Sequence, residues 1–559
     1  MNPFRLFIYT ADGKTRKRSE SKIGLYNPAK LSGQLKKDYW ETVMKTLCVT
    51  SRSCSVLLDP EGLYEAREKR ELFLDGERLG EEYRSVTSLF DLEPDTDYVL
   101  ESVTGSGTRE TLAFRTQKET CSLNVKDFGA KGDGQTEDTA FLQAAILCCP
   151  EGGRVLIPAG EYMTGPLFLK SRLTLEIAAG AVLKLLTDRE RFPVLPGNTP
   201  ADNPDGEILL GLFEGCATDG FAAALNGIGV TDTAVIGEGV IDGRADEGDW
   251  WVKPKEIRIA SRGNLLYTQR CKGMLVQGLT FRNSPSWNLH PAYSEELDFI
   301  DIRIQAPWDS PNTDGFDPES CRKVRLLGTE ISVGDDCIAI KSGKIGLGRK
   351  YRRPCEDLEI GWCALLDGHG GVTVGSEMAG GVKEVLAHHC YMKGNDRALR
   401  IKTRRDRGKD GVIDGIRFRD IRMDGVKMPL VINSFYFCDA DGKTERVQSR
   451  EKQPVDETTP EIRSVCFERV EADGCKACAA YVMGLPEQPM EHLVLRDCRF
   501  RFDPEAVPMV PALALDVEAC CRRGVIAKFV RKLTLDNVRM EGITGERLEA
   551  EDVGEITDQ

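Results

Sequence analysis

A loose internal repeat constrains this chain more than any other feature. The segments CKGMLVQGLTFRNSP (271–285), ELDFIDIRIQAPWDSP (296–311), CRKVRLLGTEISVGDDC (321–337), CEDLEIGWCALLDGHGG (355–371), VKEVLAHHCYMKGNDR (382–397) and IDGIRFRDIRMDGVK (413–427) share one pattern. Each alternates apolar and polar residues in short runs that end on Gly, Asn or Asp. Leu275 and Phe299 are 24 residues apart, and Phe299 and Val324 are 25 apart, close to one coil of a solenoid. Repeats of this length bury their apolar faces only by stacking on one another. Period-two alternation with almost no helical periodicity points to strands. The predicted fold is therefore all-β: a right-handed parallel β-helix. A leucine-rich repeat would need the LxxLxL signature, which is missing.

In such a coil, equivalent positions on successive turns stack at ~4.7–4.9 Å, so residues far apart in sequence line up in one row. Four polar clusters fall at strand ends about one coil apart: Asn312-Thr313-Asp314-Gly315, Gly334-Asp335-Asp336, Gly368-His369-Gly370 and Arg400-Ile401-Lys402. Asp314 precedes Asp335 by 21 residues; Asp336 precedes His369 by 33, enough for a coil plus the loop KSGKIGLGRKYRRP. Neighbours on a strand point to opposite faces, so VGDDCIAIK should turn one aspartate toward a core unless a turn brings both to solvent. The expectation is that it does. Crowded carboxylates raise the pKa of one member, which supplies an acid and a base in one cleft. Glycoside hydrolysis needs that pairing.

The basic residues suggest what the cleft binds. Arg397, Arg400, Lys402, Arg404, Arg405, Arg407 and Lys409 crowd into 13 positions of an acidic protein, and Lys341, Lys344, Arg349, Lys350, Arg352 and Arg353 form a second group. Arg400 and Lys402 are two apart and share a strand face. Arg grips a carboxylate bidentately and Lys adds a compact charge, so a uronate sugar is the expected ligand. Taken alone, each motif is an ordinary turn or a solvated face. The four together at coil spacing are not.

The set NTDG, GDD, GHG and RIK, in that order, resembles the polygalacturonases of glycoside hydrolase family 28 over residues 124–540. The resemblance implies Asp335 as the acid that protonates the glycosidic oxygen, with Asp314 and Asp336 activating water and inversion at the anomeric carbon. It further implies that His369 tunes the acid, that Arg400 and Lys402 hold the substrate carboxylate, and that Asn312 and Tyr436 contact substrate. NSPSWNLHP (283–291), GSEMAGGV (375–382) and a fibronectin-like module resemble the bacterial exo-acting branch, which removes galacturonate from chain ends. A pectate-lyase-like eliminating enzyme and a silent carbohydrate-binding β-helix are the alternatives. The hydrolase chemistry requires no metal or cofactor, and none is expected.

Domain organisation follows from composition. Residues 1–45 carry ten Lys/Arg against four Asp/Glu and read as an extension. Residues 46–117 show short strands between turns, as in a fibronectin type III-like β-sandwich, with LEPDTDY (92–98) placing Tyr98 at a corner. Residues 118–123 read as a linker, and 124–559 as the β-helix, capped by an amphipathic helix over 136–149. The glycines at 343, 346 and 348 read as a flexible turn without a helix. A net charge of −14 argues against nucleic acid. No run reaches the length of a membrane span, and the N-terminus lacks a signal-peptide pattern, so the expected location is cytoplasmic. The 19 cysteines, odd in number and irregular in spacing, read as reduced thiols. The lone pair Cys475 and Cys478 reads as structural, and the rings of His388 and His389 as diverging. Oligomeric state is not legible.

Overall fold

The computed structural model describes residues 43–203 and 205–559. The expected extension, residues 1–45, lies outside the described residues except for its last three.

Seven antiparallel strands between Lys45 and Arg115 form two sheets, one of three strands and one of four. Cys54, Val56, Leu72, Leu100 and Phe114 fill the space between them. The Tyr98 hydroxyl accepts from the Glu93 amide at 2.9 Å, the bond a tyrosine corner makes. Residues 118–123 carry more than a connection: Glu119 pairs with Arg52 at 2.9 Å, and Ser122–Asn124 is already a strand of the next domain.

From there the chain winds as a right-handed parallel β-helix with three strand faces. One face runs through Lys272–Gln277, Glu295–Ile300, Arg322–Leu327, Cys355–Gly361 and Val382–His388. A second runs through Thr280–Arg282, Arg303–Gln305, Glu330–Ser332 and Ala364–Leu366. The third holds Leu289–Ala292, Ile338–Ile340, Gly370–Val374, Arg397–Lys402 and Met428–Asn433. On it Leu289, Phe316, Ile338, Val372, Leu399 and Leu430 pair in sequence and point inward as one apolar ladder. The residues between them point outward, which is why polar side chains recur there.

Register differs from the sequence spacing. Phe299 pairs with Val276, not Leu275, and with Leu326, not Val324. Loop lengths between strands vary, so counting residues misplaces the coil by one or two positions. A shift of one would have turned the apolar set outward.

The capping helix spans Thr139–Cys148, three residues shorter at its start than expected, because Asp133–Glu137 pairs as a strand. Leu142, Ala145 and Ile146 close the end of the core. The glycines at 346 and 348 sit inside a helix, Ile345–Tyr351, so the expected flexible turn is wrong. Lys350 of this helix bonds Glu207 at 2.6 Å and pins it against the hairpin of Asn198–Pro200 and Glu207–Leu209.

The sandwich is docked on the solenoid. Leu57 and Val86 bury against Ile300, Leu327 and Trp362, each large apolar side chain contributing ~1.5–3 kcal/mol. Gln277 bridges Ser53 and Ser55 at 2.6 and 2.7 Å, and Arg84 pairs with Asp301. The approach is close enough that a Cβ on Gly278 would overlap the Phe90 ring, and one on Gly328 would overlap Val86.

All 19 cysteines are free thiols. Cys475 and Cys478 are buried in two different apolar clusters, consistent with packing. The rings of His388 and His389 do not diverge: His389 has a φ of 52°, and the two Nδ1 atoms lie 2.9 Å apart. Among the described residues no helix is long and apolar enough to cross a membrane.

Candidate active site

A cleft of about 810 Å³ opens on the third face. Asn312, Asp314, Asp335, His369, Arg400, Lys402 and Tyr436 all line it. The strand pairings explain how. The Gly315 amide, next to Asp314, donates to Asp336 O on the following coil at 3.0 Å, and the Cys337 amide donates to Gly370 O on the coil after that at 2.7 Å. One oxygen from each of Asp314, Asp335 and Asp336 lies within 4.8 Å of the others.

The GHG glycines are structural requirements of this arrangement. Gly368 has a φ of 81°, and a Cβ there would stand 2.5 Å from Asp335 O. A Cβ on Gly370 would overlap the Asp336 carboxylate. Between them His369 holds its Nδ1 3.3 Å from Asp335 Oδ1.

The expectation that both members of the doublet reach solvent is wrong. Asp335 is partly open to the cleft, but Asp336 is fully buried beneath it. Lys402 Nζ meets Asp336 Oδ2 at 2.7 Å, and Arg400 meets the other oxygen at 3.3 Å. Burial alone would raise the Asp336 pKa; the two cations overcome this and hold it well below the carboxylate range. Asp314 goes the other way. Burial, then the charges of Asp335 and Asp317, push it well above that range. The fold thus drives these two neighbouring carboxyls in opposite directions. The Asp335 bond raises the His369 pKa above its ordinary 6.5.

Tyr436 lies under both cations, its ring centre 5.7 Å from the Arg400 guanidinium and 5.4 Å from Lys402 Nζ. Burial pushes its hydroxyl up to about 12. Asn312 accepts from Arg262 at 2.7 Å.

Arg397 also lines the cleft, but the later members of the basic block, from Arg404 to Lys409, are not a substrate face. Arg404 and Arg405 are buried on Asp439, Asp441 and Glu487, at 2.6–3.1 Å. Arg407 pairs with Asp439 at 3.2 Å, and Lys409 faces outward on Glu457. Of the second group, Lys341 and Lys344 line the cleft; Lys350 holds the hairpin.

Asp317, Glu377 and Trp287 were not singled out by sequence. Lys341, of the second basic group, lies 3.4 Å from Asp317 and Glu377 and 4.4 Å above the Trp287 ring. Asp317 follows NTDG in the same segment, and Glu377 sits in GSEM, but their burial beside Lys341 leaves no mark in composition. The wall was also missed. A hairpin of Leu212–Phe213 and Cys216–Ala217 sends its tip over the cleft, where Gly215 O accepts from Lys344 N at 2.8 Å. Phe213 stacks on Trp287 at 5.8 Å, and Glu214 lines the cavity.

A parallel β-solenoid that gathers three carboxyls, a histidine and two cations at one cleft is the architecture of a glycoside-cleaving enzyme. Comparison with known proteins makes the assignment specific. A profile described as glycosyl hydrolases family 28 matches residues 208–468, and one described as rhamnogalacturonase A/epimerase, pectate lyase-like, matches residues 122–181. A probable polygalacturonase of Vitis vinifera is 30% identical over 405 residues, 71% of this chain and 77% of that protein. An exopolygalacturonase of Thermotoga maritima superposes with a TM-score of 0.61 at 27% identity, over 75% of this chain and 92% of that one. The family 28 exopolygalacturonase of Yersinia enterocolitica shares the fold over 91% of this chain and 97% of its own, with a TM-score of 0.68 at 18% identity. The chain belongs to glycosyl hydrolases family 28.

Proposed function

We propose that the enzyme hydrolyses α-1,4-linked galacturonate chains, releasing units from an end. The observation that carries the reading is the pairing of Asp335, open to the cleft, with a buried Asp336 held ionised by Lys402 and Arg400. In the proposed reaction Asp335 gives its proton to the glycosidic oxygen as that bond breaks. Water attacks the anomeric carbon from the opposite side and passes a proton to the Asp314–Asp336 pair, whose negative charge rests on Asp336. His369 positions and polarises Asp335. The donors of Arg400 and Lys402 not engaged by Asp336, with Asn312 and Tyr436, contact the sugar.

Attack from an end is supported by the hairpin tip at Glu214 and Gly215, which crosses to Lys344 and walls the cleft. Relatives include an endo-polygalacturonase of Pectobacterium carotovorum, 30% identical over 324 residues, 55% of this chain and 74% of that protein, and an exo-poly-alpha-D-galacturonosidase of Dickeya chrysanthemi, 27% identical over 403 residues, 63% of this chain and 64% of that protein. The wall therefore weighs more than the names.

Products from a defined galacturonate oligomer, followed over time, test the proposal. Early monomer or dimer alone supports cleavage from an end; a spread of intermediate sizes overturns it. Proton NMR in the first minutes should show the β-anomer, the product of inversion. Because three carboxylate oxygens within 4.8 Å can also share a cation, metal-assisted elimination is the second reading. It requires unsaturated products and loss of activity on chelation.

A further inference from the structure

Arg400 and Lys402, the cations expected to grip the sugar carboxylate, already terminate on Asp336. Two other guanidiniums line the same cleft without a carboxylate partner among the described residues: Arg262 and Arg397. Arg262 donates to the carbonyls of Pro285 and Pro311 at 2.8 and 2.9 Å and to Asn312 Oδ1 at 2.7 Å. Its Nε is buried with no acceptor. Arg397 donates to Pro511 O at 3.0 Å and Val510 O at 3.3 Å. Both are held in place by neutral acceptors that orient a guanidinium without neutralising it. Burial lowers the pKa of each to about 10. A cation withdrawn from water without a counter-charge is costly, and that cost is relieved when an anion arrives.

Their placement is what a polyuronide needs. Backbone bonds and strand pairing link Leu265 to Asn288, Asn288 to Asp314, Gly315 to Asp336, Cys337 to Gly370, and Gly370 to Arg397. Arg262, three residues before Leu265, lies two coils before Asp314, and Arg397 lies two coils after Asp336. At the rung spacing, each backbone position is ~10 Å from the acidic pair, on opposite sides. The Arg262 side chain closes part of that gap by reaching Asn312.

We propose that Arg262 and Arg397 are specificity-determining residues that bind uronate carboxylates on either side of the scissile bond, Arg262 on the Asn312 side and Arg397 on the Tyr436 side. Arg400 and Lys402 keep Asp336 ionised and meet the sugar between these two flanking positions. The inference rests on the galacturonate reading above and adds which cations read the acid groups.

The test compares kcat/KM on a galacturonate oligomer and on its methyl ester of equal length, for the wild type, Arg262→Gln, Arg397→Gln and Arg397→Lys. Each Gln variant should lose roughly 10–100-fold on the free acid, the worth of a charge-assisted hydrogen bond, and less on the ester, so that the preference for the acid falls. Arg397→Lys, with charge but no fork, should fall between. Equal losses on both substrates, or an unchanged preference for the acid, overturn the inference while leaving the enzyme assignment standing. A merely structural role gives equal losses, so a lowered unfolding temperature alone does not imitate the expected result. If the wild type hydrolyses neither substrate, the galacturonate reading fails and takes this inference with it.

Discussion

Lys402 Nζ lies 2.7 Å from Asp336 Oδ2, and the carboxylate it meets has no exposure to solvent. With Arg400 on its other oxygen, Asp336 is an anion fixed inside the wall of the cleft. Its ionisation is a property of the folded state.

Lys402→Met should therefore cost ~3–5 kcal/mol of stability, since removing one partner leaves a buried charge poorly compensated. The sign of the pH dependence follows. A carboxylate depressed by folding adds stability above its unfolded pKa of ~3.9, and this is lost as pH falls through the lower folded value. In Lys402→Met that loss should begin at higher pH. Denaturant titrations across the acid range will read the shift.

His369 should set the basic limb of the activity profile. The bond to Asp335 raises its pKa, so it loses its proton at a higher pH than a free imidazole. His369→Gln should reduce kcat by ~10²-fold or more, within the usual range for acid–base groups, and abolish the His-dependent part of the limb. The stability effect should be small because more than half of the ring is exposed, at 55%.

Deleting the hairpin tip at residues 214–215 and rejoining Phe213 to Cys216 through a short turn should open the wall. Chromatography of early products should then show intermediate oligomers alongside the smallest unit. An unchanged pattern would mean that something else enforces the end.

How much of this was legible in sequence depends on what each residue answers to. Asp314, Asp335, Asp336, His369, Arg400 and Lys402 stand at strand mouths one coil apart, and stacking alone brings them together. Strand alternation also placed Arg400 and Lys402 on one face, where both reach Asp336. What alternation could not show was depth. Asp336 sits beneath Asp335 because its oxygens turn to the cations of later coils, a relation across 64 and 66 positions. Arg404 and Arg405 look like a surface charge run until Asp439, Asp441 and Glu487 arrive from distant loops. The hairpin over the cleft comes from irregular chain between coils, where no periodicity exists to read. Loop length also moved the Phe299 register, since counting assumes a constant coil.

The seam between sandwich and solenoid is a fourth place to intervene. Gly278→Leu would overlap Phe90 from a backbone with a φ of 79° and should cost ~1–3 kcal/mol, as overpacking does. Calorimetry should resolve one transition in the wild type and two in the variant, while activity at low temperature persists.

That seam also settles how the front module can behave. Gln277 locked between two serines, and Trp362 donating from its indole to Pro60 O at 3.3 Å, leave no swivel between the halves. A carbohydrate-capturing appendage on a slack tether searches a volume; this one has a fixed address on the flank. Whatever it touches is held at one distance and one angle from the carboxyls of the cleft.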